Sequence, residues 1–294
     1  MRFRISLKFT LVVVLLSAVT LAFLTNGPLR QKQACQKIRD AGGSVVYSYQ
    51  RPGGVVPTET IHEPGPAWLR NLIGIDFFTT PFHVGFRFDE IENRLQPLED
   101  LRSLRSLHIT ECDLPADELA HLHNNIELRK LDLYDTTLND DGLRHLECLT
   151  KLEELSINDT EISDAGLISL SKLKSLRVLW LGNNQITDDG LQHLANLKNL
   201  EKLFLYRTKI NGSGLKHLAE LPNLQFLRLD SNELVSISGL GGSTSLQYLD
   251  ISHAAIDSIQ PIVGIPTLTE LHIHNTNVEL KIAQEMLPNV KIHE

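Results

Sequence analysis

The sequence predicts an α/β solenoid, a horseshoe with a parallel sheet on its concave side and short helices on its convex side, flattening into shorter units at the C-terminus. Three observations carry this. A unit of 24 residues recurs when the chain is cut at Leu101, Asn125, Leu149, Leu173, Leu197 and Leu221. Each unit holds two aliphatics around one variable residue, as in Leu131-Asp132-Leu133, Leu155-Ser156-Ile157, Leu179-Trp180-Leu181 and Leu203-Phe204-Leu205. That alternation describes a short strand with one face buried. Asn139, Ser163, Thr187 and Asn211, all helix N-cap types, then stand just before segments of the D-x-G-L-x-x-L form.

Taken in chain order, the first element is an uncharged apolar run from Phe9 to Leu24, with Arg2, Arg4 and Lys8 before it and Arg30, Lys32, Lys37 and Arg39 after it. A membrane span takes roughly 20 residues. Ile5, Leu7 and Thr25 extend the run, and Lys8 can snorkel to the headgroups. A cleaved signal peptide is the rival reading, but no A-x-A-like site follows and the next stretch is basic. The expectation is a single-pass anchor or signal segment over residues 1–29. Basic residues flank both ends, so topology is weakly specified; the expected orientation puts the repeats on the extracytoplasmic side. Residues 30–100 then supply a juxtamembrane helix, a first strand and an N-terminal cap, which a solenoid needs to cover its first core leucines. Val84, Phe86 and Phe88 alternate as the strand that begins the sheet.

Residues 101–294 form the repeat domain. The pattern L-x-x-L-x-L-x-x-[N/T/C]-x-[I/L] recurs eight times between Leu104 and Val278. One such strand cannot bury its leucines alone, so stability must come from stacked neighbours. A slot three residues past the second aliphatic holds Cys112, Thr136, Thr160, Asn184, Thr208, Asn232, Ala254 and Thr276. Small hydrogen-bonding groups suit it, because a chain leaving a strand inside a solenoid has backbone donors and acceptors to satisfy. Cys112 is therefore structural. Asp140, Asp164 and Asp188 belong in first helical turns, where the macrodipole favours acids. From Leu221 the units shorten and lose the D-x-G-L segment, which predicts tighter outer turns, and Leu287 to Ile292 supply a closing strand.

These units carry the leucine-rich-repeat signature and are similar to bacterial repeats of the T-x-I-T-D-x-G-L type, akin to those of ribonuclease inhibitor and F-box substrate receptors. The opening resembles a group of single-pass bacterial proteins in which an anchor precedes a basic helix, a G-G-x-V-x-Y strand and a W-L-x-x-x-x-G-x-D-F-F cap. The matching segments here are Gly42 to Tyr47 and Trp68 to Phe78. No F-box segment is present, so a ubiquitin-ligase role is not implied; the bacterial group implies binding to partners it does not specify.

Charge narrows the partner. The net charge of −8 hides an asymmetry: residues 1–40 carry seven Lys/Arg against one acid, and residues 101–294 carry 17 against 27 Asp/Glu. An acidic body without a basic stripe repels phosphate backbones, which argues against nucleic acid. Cys35, Cys112 and Cys148 are odd in number and widely spaced, with no C-x-x-C pair, and read as free thiols. No nucleophile elbow, phosphate loop, H-E-x-x-H or dinucleotide fingerprint occurs, and the repeats leave little chain in which to build an active site. The expectation is a non-enzymatic module with no cofactor.

Solenoids of this kind bind on the concave face. Its middle column runs His108, Asp132, Ser156, Trp180, Phe204, Arg228, Asp250 and His272. Strands about 4.8 Å apart would gather Trp180, Phe204, Tyr206, Phe226, Arg228 and Tyr248 into one patch of hot-spot residue types. The bland alternative is surface decoration, or contact with a tail or lipid headgroups. Glu111, Asp132, Asp135, Glu154 and Asp159 give the N-terminal half an acidic character, which either steers a basic partner or is simply solvated. His272, His274 and Asp250 could conceivably hold zinc, but spacing alone does not support a metal site. His121, His145, His193 and His217 recur through repetition on the convex side. The function expected is protein or peptide binding at a membrane, and the alternative is a structural or self-assembling envelope component.

Overall fold

The computed structural model describes residues 27–47, 81–87 and 94–294. The apolar run at residues 9–24, the Trp68 to Phe78 motif and Phe88 lie outside them, and among the described residues no helix is long and apolar enough to cross a membrane.

Among the described residues eleven strands form a single sheet in strict sequence order. They are β1 (Ser44–Tyr47), β2 (Pro81–Arg87), β3 (Ser106–Thr110), β4 (Lys130–Asp132), β5 (Glu154–Ser156), β6 (Val178–Trp180), β7 (Lys202–Phe204), β8 (Phe226–Arg228), β9 (Tyr248–Asp250), β10 (Glu270–His272) and β11 (Lys291–His293). Only β1 and β2 pair antiparallel; every later pair is parallel. The register is that of the repeat, with Leu107 beside Leu131, then Leu155, Leu179, Leu203, Leu227, Leu249 and Leu271. Each of these leucines is at most 2% exposed, and burying such a side chain contributes about 1.5–3 kcal/mol. One hydrophobic cluster runs from Ala34 to Leu287, so the N-terminal elements share the core of the repeats.

The entry to that core is helical. α1 (Gly27–Asp40) buries Ala34, Cys35 and Ile38, and its Arg39 donates to the Tyr47 hydroxyl of β1. It ends in a Schellman closure: the Gly43 N–H donates to Ile38 O and the Gly42 N–H to Arg39 O, with Gly42 at φ 82°. Gly43 has no room for a side chain, because a Cβ there would lie 2.8 Å from Ile38 and 2.9 Å from Phe86.

The slot after each strand behaves as its composition predicts. Thr136, Thr160 and Thr208 donate to the carbonyl three residues back, at 2.9, 2.8 and 3.0 Å. The asparagines reach across to the preceding unit. Asn184 Nδ2 donates to Ile157 O and Leu181 O, while its Oδ1 accepts from the Ile162 N–H and lies 2.8 Å from Thr160 Oγ1. Asn232 repeats this with Leu205, Leu229 and Thr208.

The outer wall carries α2 (Asp140–Leu143), α3 (Asp164–Leu170), α4 (Leu191–Leu194) and α5 (Lys216–Ala219). Asn139 and Ser163 cap α2 and α3, while Thr187 caps the 3-10 turn that leads into α4. The aspartates do more than complement a dipole. Asp140 accepts from the Ser163 N–H and hydroxyl, Asp164 accepts from the same groups of Thr187, and Asp188 accepts three N–H groups, from Asn211, Gly212 and Gly214. Each carboxylate thus secures the cap of the next unit. In the shortened units the wall thins to 3-10 turns at Ser238–Gly242 and Gln260–Ile262, as expected. The last unit departs from that trend: α6 (Leu280–Met286) returns to α-helix and buries Ala283 before β11 pairs with β10.

Candidate functional site

The inward aliphatics fix where the intervening side chains point. His108, Asp132, Ser156, Trp180, Phe204, Arg228, Asp250 and His272 stand side by side on successive strands, and β11 extends the row to His293. The row two residues earlier brings together Val178, Lys202, Phe226, Tyr248 and Glu270.

The rings use both rows. Trp180 stacks on Phe204 with centroids 5.4 Å apart, Phe204 meets Phe226 at 5.0 Å, and Phe226 stacks on Tyr248 at 4.0 Å and 8°. Tyr248 continues to His272 at 4.9 Å, and His272 stacks on His293 at 4.2 Å and 12°. Four of the six expected patch residues therefore form one ridge that two histidines prolong. Each ring is half-buried, because its neighbours in the ridge cover its faces. Burial, with Asp250 beside it, pushes the Tyr248 phenol up to about 12.

Tyr206 and Arg228 lie beside the ridge. The Arg228 guanidinium sits 5.1 Å over the Tyr206 ring and is held by Asp230 at 2.9 Å and Asp250 at 3.6 Å. It is a neutralised, positioned cation and not a loose surface charge. Tyr206 in turn lies on Gly182, where a Cβ would come 2.3 Å from the ring; only glycine leaves that ring its place.

The acidic residues divide into two groups. Asp132 and Glu154 line a concave cavity of about 420 Å³ with His108, Lys130, Ser156 and Trp180. There Lys130 pairs with Glu154 at 2.6 Å and His108 with Asp132 at 3.3 Å. Burial would raise the Asp132 carboxyl, but hydrogen bonds from His108, Ser156 and the Tyr134 N–H outweigh it and hold the group below its usual range. Glu111, Asp135 and Asp159 sit instead at the strand exits, each with φ between 54° and 58°, beside a second cavity of about 520 Å³. This left-handed step recurs at Asn183, Arg207, Ser231, His253 and Asn275. Its signal was present in the sequence as a column rich in Asn and Asp, the non-glycine types that tolerate it best.

Cys112 and Cys148 are free thiols, and burial together with Asp113 and Asp135 raises Cys112 to about 11, which keeps it protonated and unreactive. Of these four convex histidines His145 alone is exposed; His121 is half-buried and bonded to Glu99 at 2.6 Å. The trio His272, His274 and Asp250 does not converge: the His274 ring lies 6.1 Å from His272 and is exposed, while Asp250 is occupied by Arg228 and the Ser252 N–H. Among the described residues, the three whose metal-ligating atoms do converge are Glu270, His272 and His293.

Models of leucine-rich repeats match residues 150–196, over two copies, and residues 174–234. No curated protein matches the sequence. Among solved structures, an internalin C2 of Listeria monocytogenes is similar at 25% identity and a TM-score of 0.53, over 68% of this chain and 84% of its own. An internalin (inlF) from the same organism shows 21% identity and a TM-score of 0.51, over 67% and 69%. The chain has a leucine-rich-repeat fold. The plant peptide hormone receptor RGFR1, solved in complex with RGF2, shares this repeat architecture at 18% identity and a TM-score of 0.51, over 71% of this chain and 37% of the receptor.

Proposed function

We propose that this leucine-rich-repeat chain is a non-enzymatic module that binds a protein or peptide along the ridge of its concave face, with Trp180, Phe204, Tyr206, Phe226, Arg228 and Tyr248 as the contact set. The observation that carries the reading is the continuous ring ladder from Trp180 to Tyr248. Stacked rings are already immobilised, so a partner that lies on them loses little further side-chain entropy on their account. Trp, Tyr and Arg are also the types on which binding energy concentrates. A peptide-binding receptor with the same architecture, the plant receptor solved with RGF2, is a precedent for such use of the fold.

The proposal includes tethering at a membrane through residues 9–24, with the repeats on the extracytoplasmic side. Resistance to carbonate extraction, and protease accessibility of the repeats in intact cells, test that part separately. The binding role is tested by replacing Trp180, Phe204 and Tyr206 together with alanine and repeating co-purification from the native membrane. Partners recovered with the unaltered chain are expected to disappear. Retention of every partner by a folded triple variant would remove the reading.

A further inference from the structure

We propose that Glu270, His272 and His293 form a binding site for a divalent transition-metal ion of the zinc class, held across the β10–β11 pair at the C-terminal end of the concave face. Parallel pairing sets His272 directly beside His293, and Glu270 lies two residues before His272 on the same face. His272 Nε2 is 3.2 Å and His293 Nε2 2.9 Å from one and the same oxygen, Glu270 Oε1. All three ligand atoms lie within 4.8 Å of one another. With metal–ligand bonds of about 2.0–2.2 Å, tetrahedral coordination asks for ligand atoms roughly 3.3 Å apart. Both imidazole nitrogens therefore stand at coordination-shell distance from the same carboxylate oxygen.

The state of His293 is the second observation. Its Nε2 is buried and has no hydrogen-bond partner, although the Glu270 oxygen is within reach, because the contact lacks hydrogen-bond alignment. A buried ring nitrogen with no proton partner is costly to leave so. A metal ion would satisfy it, along with the His272 nitrogen and the carboxylate. Two imidazoles and one carboxylate suit zinc and its first-row neighbours better than calcium or magnesium, which take all-oxygen sets. Three protein ligands leave a fourth position for water or a donor from a bound molecule. Lys291 lies 4.0 Å from the same oxygen; its side chain is 70% exposed and can swing into solvent.

This proposal stands apart from the partner-binding reading, so either can fail alone. The test is titration of the purified full chain with Zn²⁺ by calorimetry, with bound metal counted after equilibrium dialysis. One ion per chain is expected, with affinity lowered at least tenfold in H272A and in H293A. E270Q, which keeps the shape of the carboxylate, is expected to weaken binding as well. H274A, which alters a histidine two residues along the same face, is expected to bind as the unaltered chain does. Zn²⁺ should also raise the melting temperature of the unaltered chain and of H274A, but not of H293A. Absence of stoichiometric binding overturns the site, and so does equal affinity in folded H272A and H293A.

Discussion

Asn232 shows how much a single side chain contributes in a repeat fold. Its amide donates to carbonyls of two units and accepts from the Thr208 N–H, all in the interior. Alanine at this position would leave the Leu229 carbonyl and the Thr208 N–H unpaired, each costing about 1–3 kcal/mol. Asn232→Ala should therefore destabilise the chain by about 2–4 kcal/mol in urea unfolding, and a change below half a kcal/mol would disprove the bridging role. His83 governs a pH dependence. Burial first, and His108 second, hold its pKa below the ordinary value. Above pH about 6.5 both folded and unfolded chains keep it neutral and nothing is lost. As the pH falls below that value the unfolded chain takes up the proton first, so stability drops with acidification until the folded pKa is passed. His83→Gln can keep the contact with Ser106 without titrating. Its melting temperature should fall less than that of the unaltered chain between about pH 7 and pH 5; parallel curves would show that His83 does not contribute.

At the scale of elements, the short outer helices are too brief to be stable alone and are held by their neighbours. Asp188 receives three N–H groups of the following turn at 2.7, 3.1 and 2.6 Å. Asp188→Ala should cost about 2–3 kcal/mol, because bonds to a charged acceptor are stronger than neutral ones. The loss should appear as faster hydrogen exchange at Gly212 and Gly214, the following turn, more than at Asp188's own helix. Faster exchange confined to residues 188–194 would instead support the macrodipole role that the sequence suggested. The N-cap identities and the D-x-G-L spacing were legible locally. The partner of each aspartate was not, because it lies 23 to 26 residues away and becomes a neighbour only when units stack.

At the scale of the molecule, each unit is stable because another covers it, and the ends matter most. Ion pairs such as Arg177–Glu201, 2.8 Å apart on consecutive units, line the strands, but they are exposed and contribute little. Covering the last leucines matters far more. Deleting residues 279–294 removes α6 and β11 and uncovers Leu271 and Ile273, which are at most 1% exposed. Such a truncation should melt earlier and self-associate, as read by light scattering. A truncated chain that stays monomeric with an unchanged melting temperature would mean that the terminal strand is not a cap.

The sequence by itself determined the repeat period, the inward leucines, the slot, the caps and the strand columns, since each follows from the periodicity of one short segment. It also placed Trp180, Phe204, Phe226 and Tyr248 on one face. Only the tertiary structure decided that these rings lean across two columns into one ridge, that Arg228 is neutralised by Asp230 and Asp250, and that His293 closes on Glu270 and His272. The physical reason is that ring contact and ligand convergence depend on side-chain direction and on distances between strands. Those quantities exist only once separate units lie against one another.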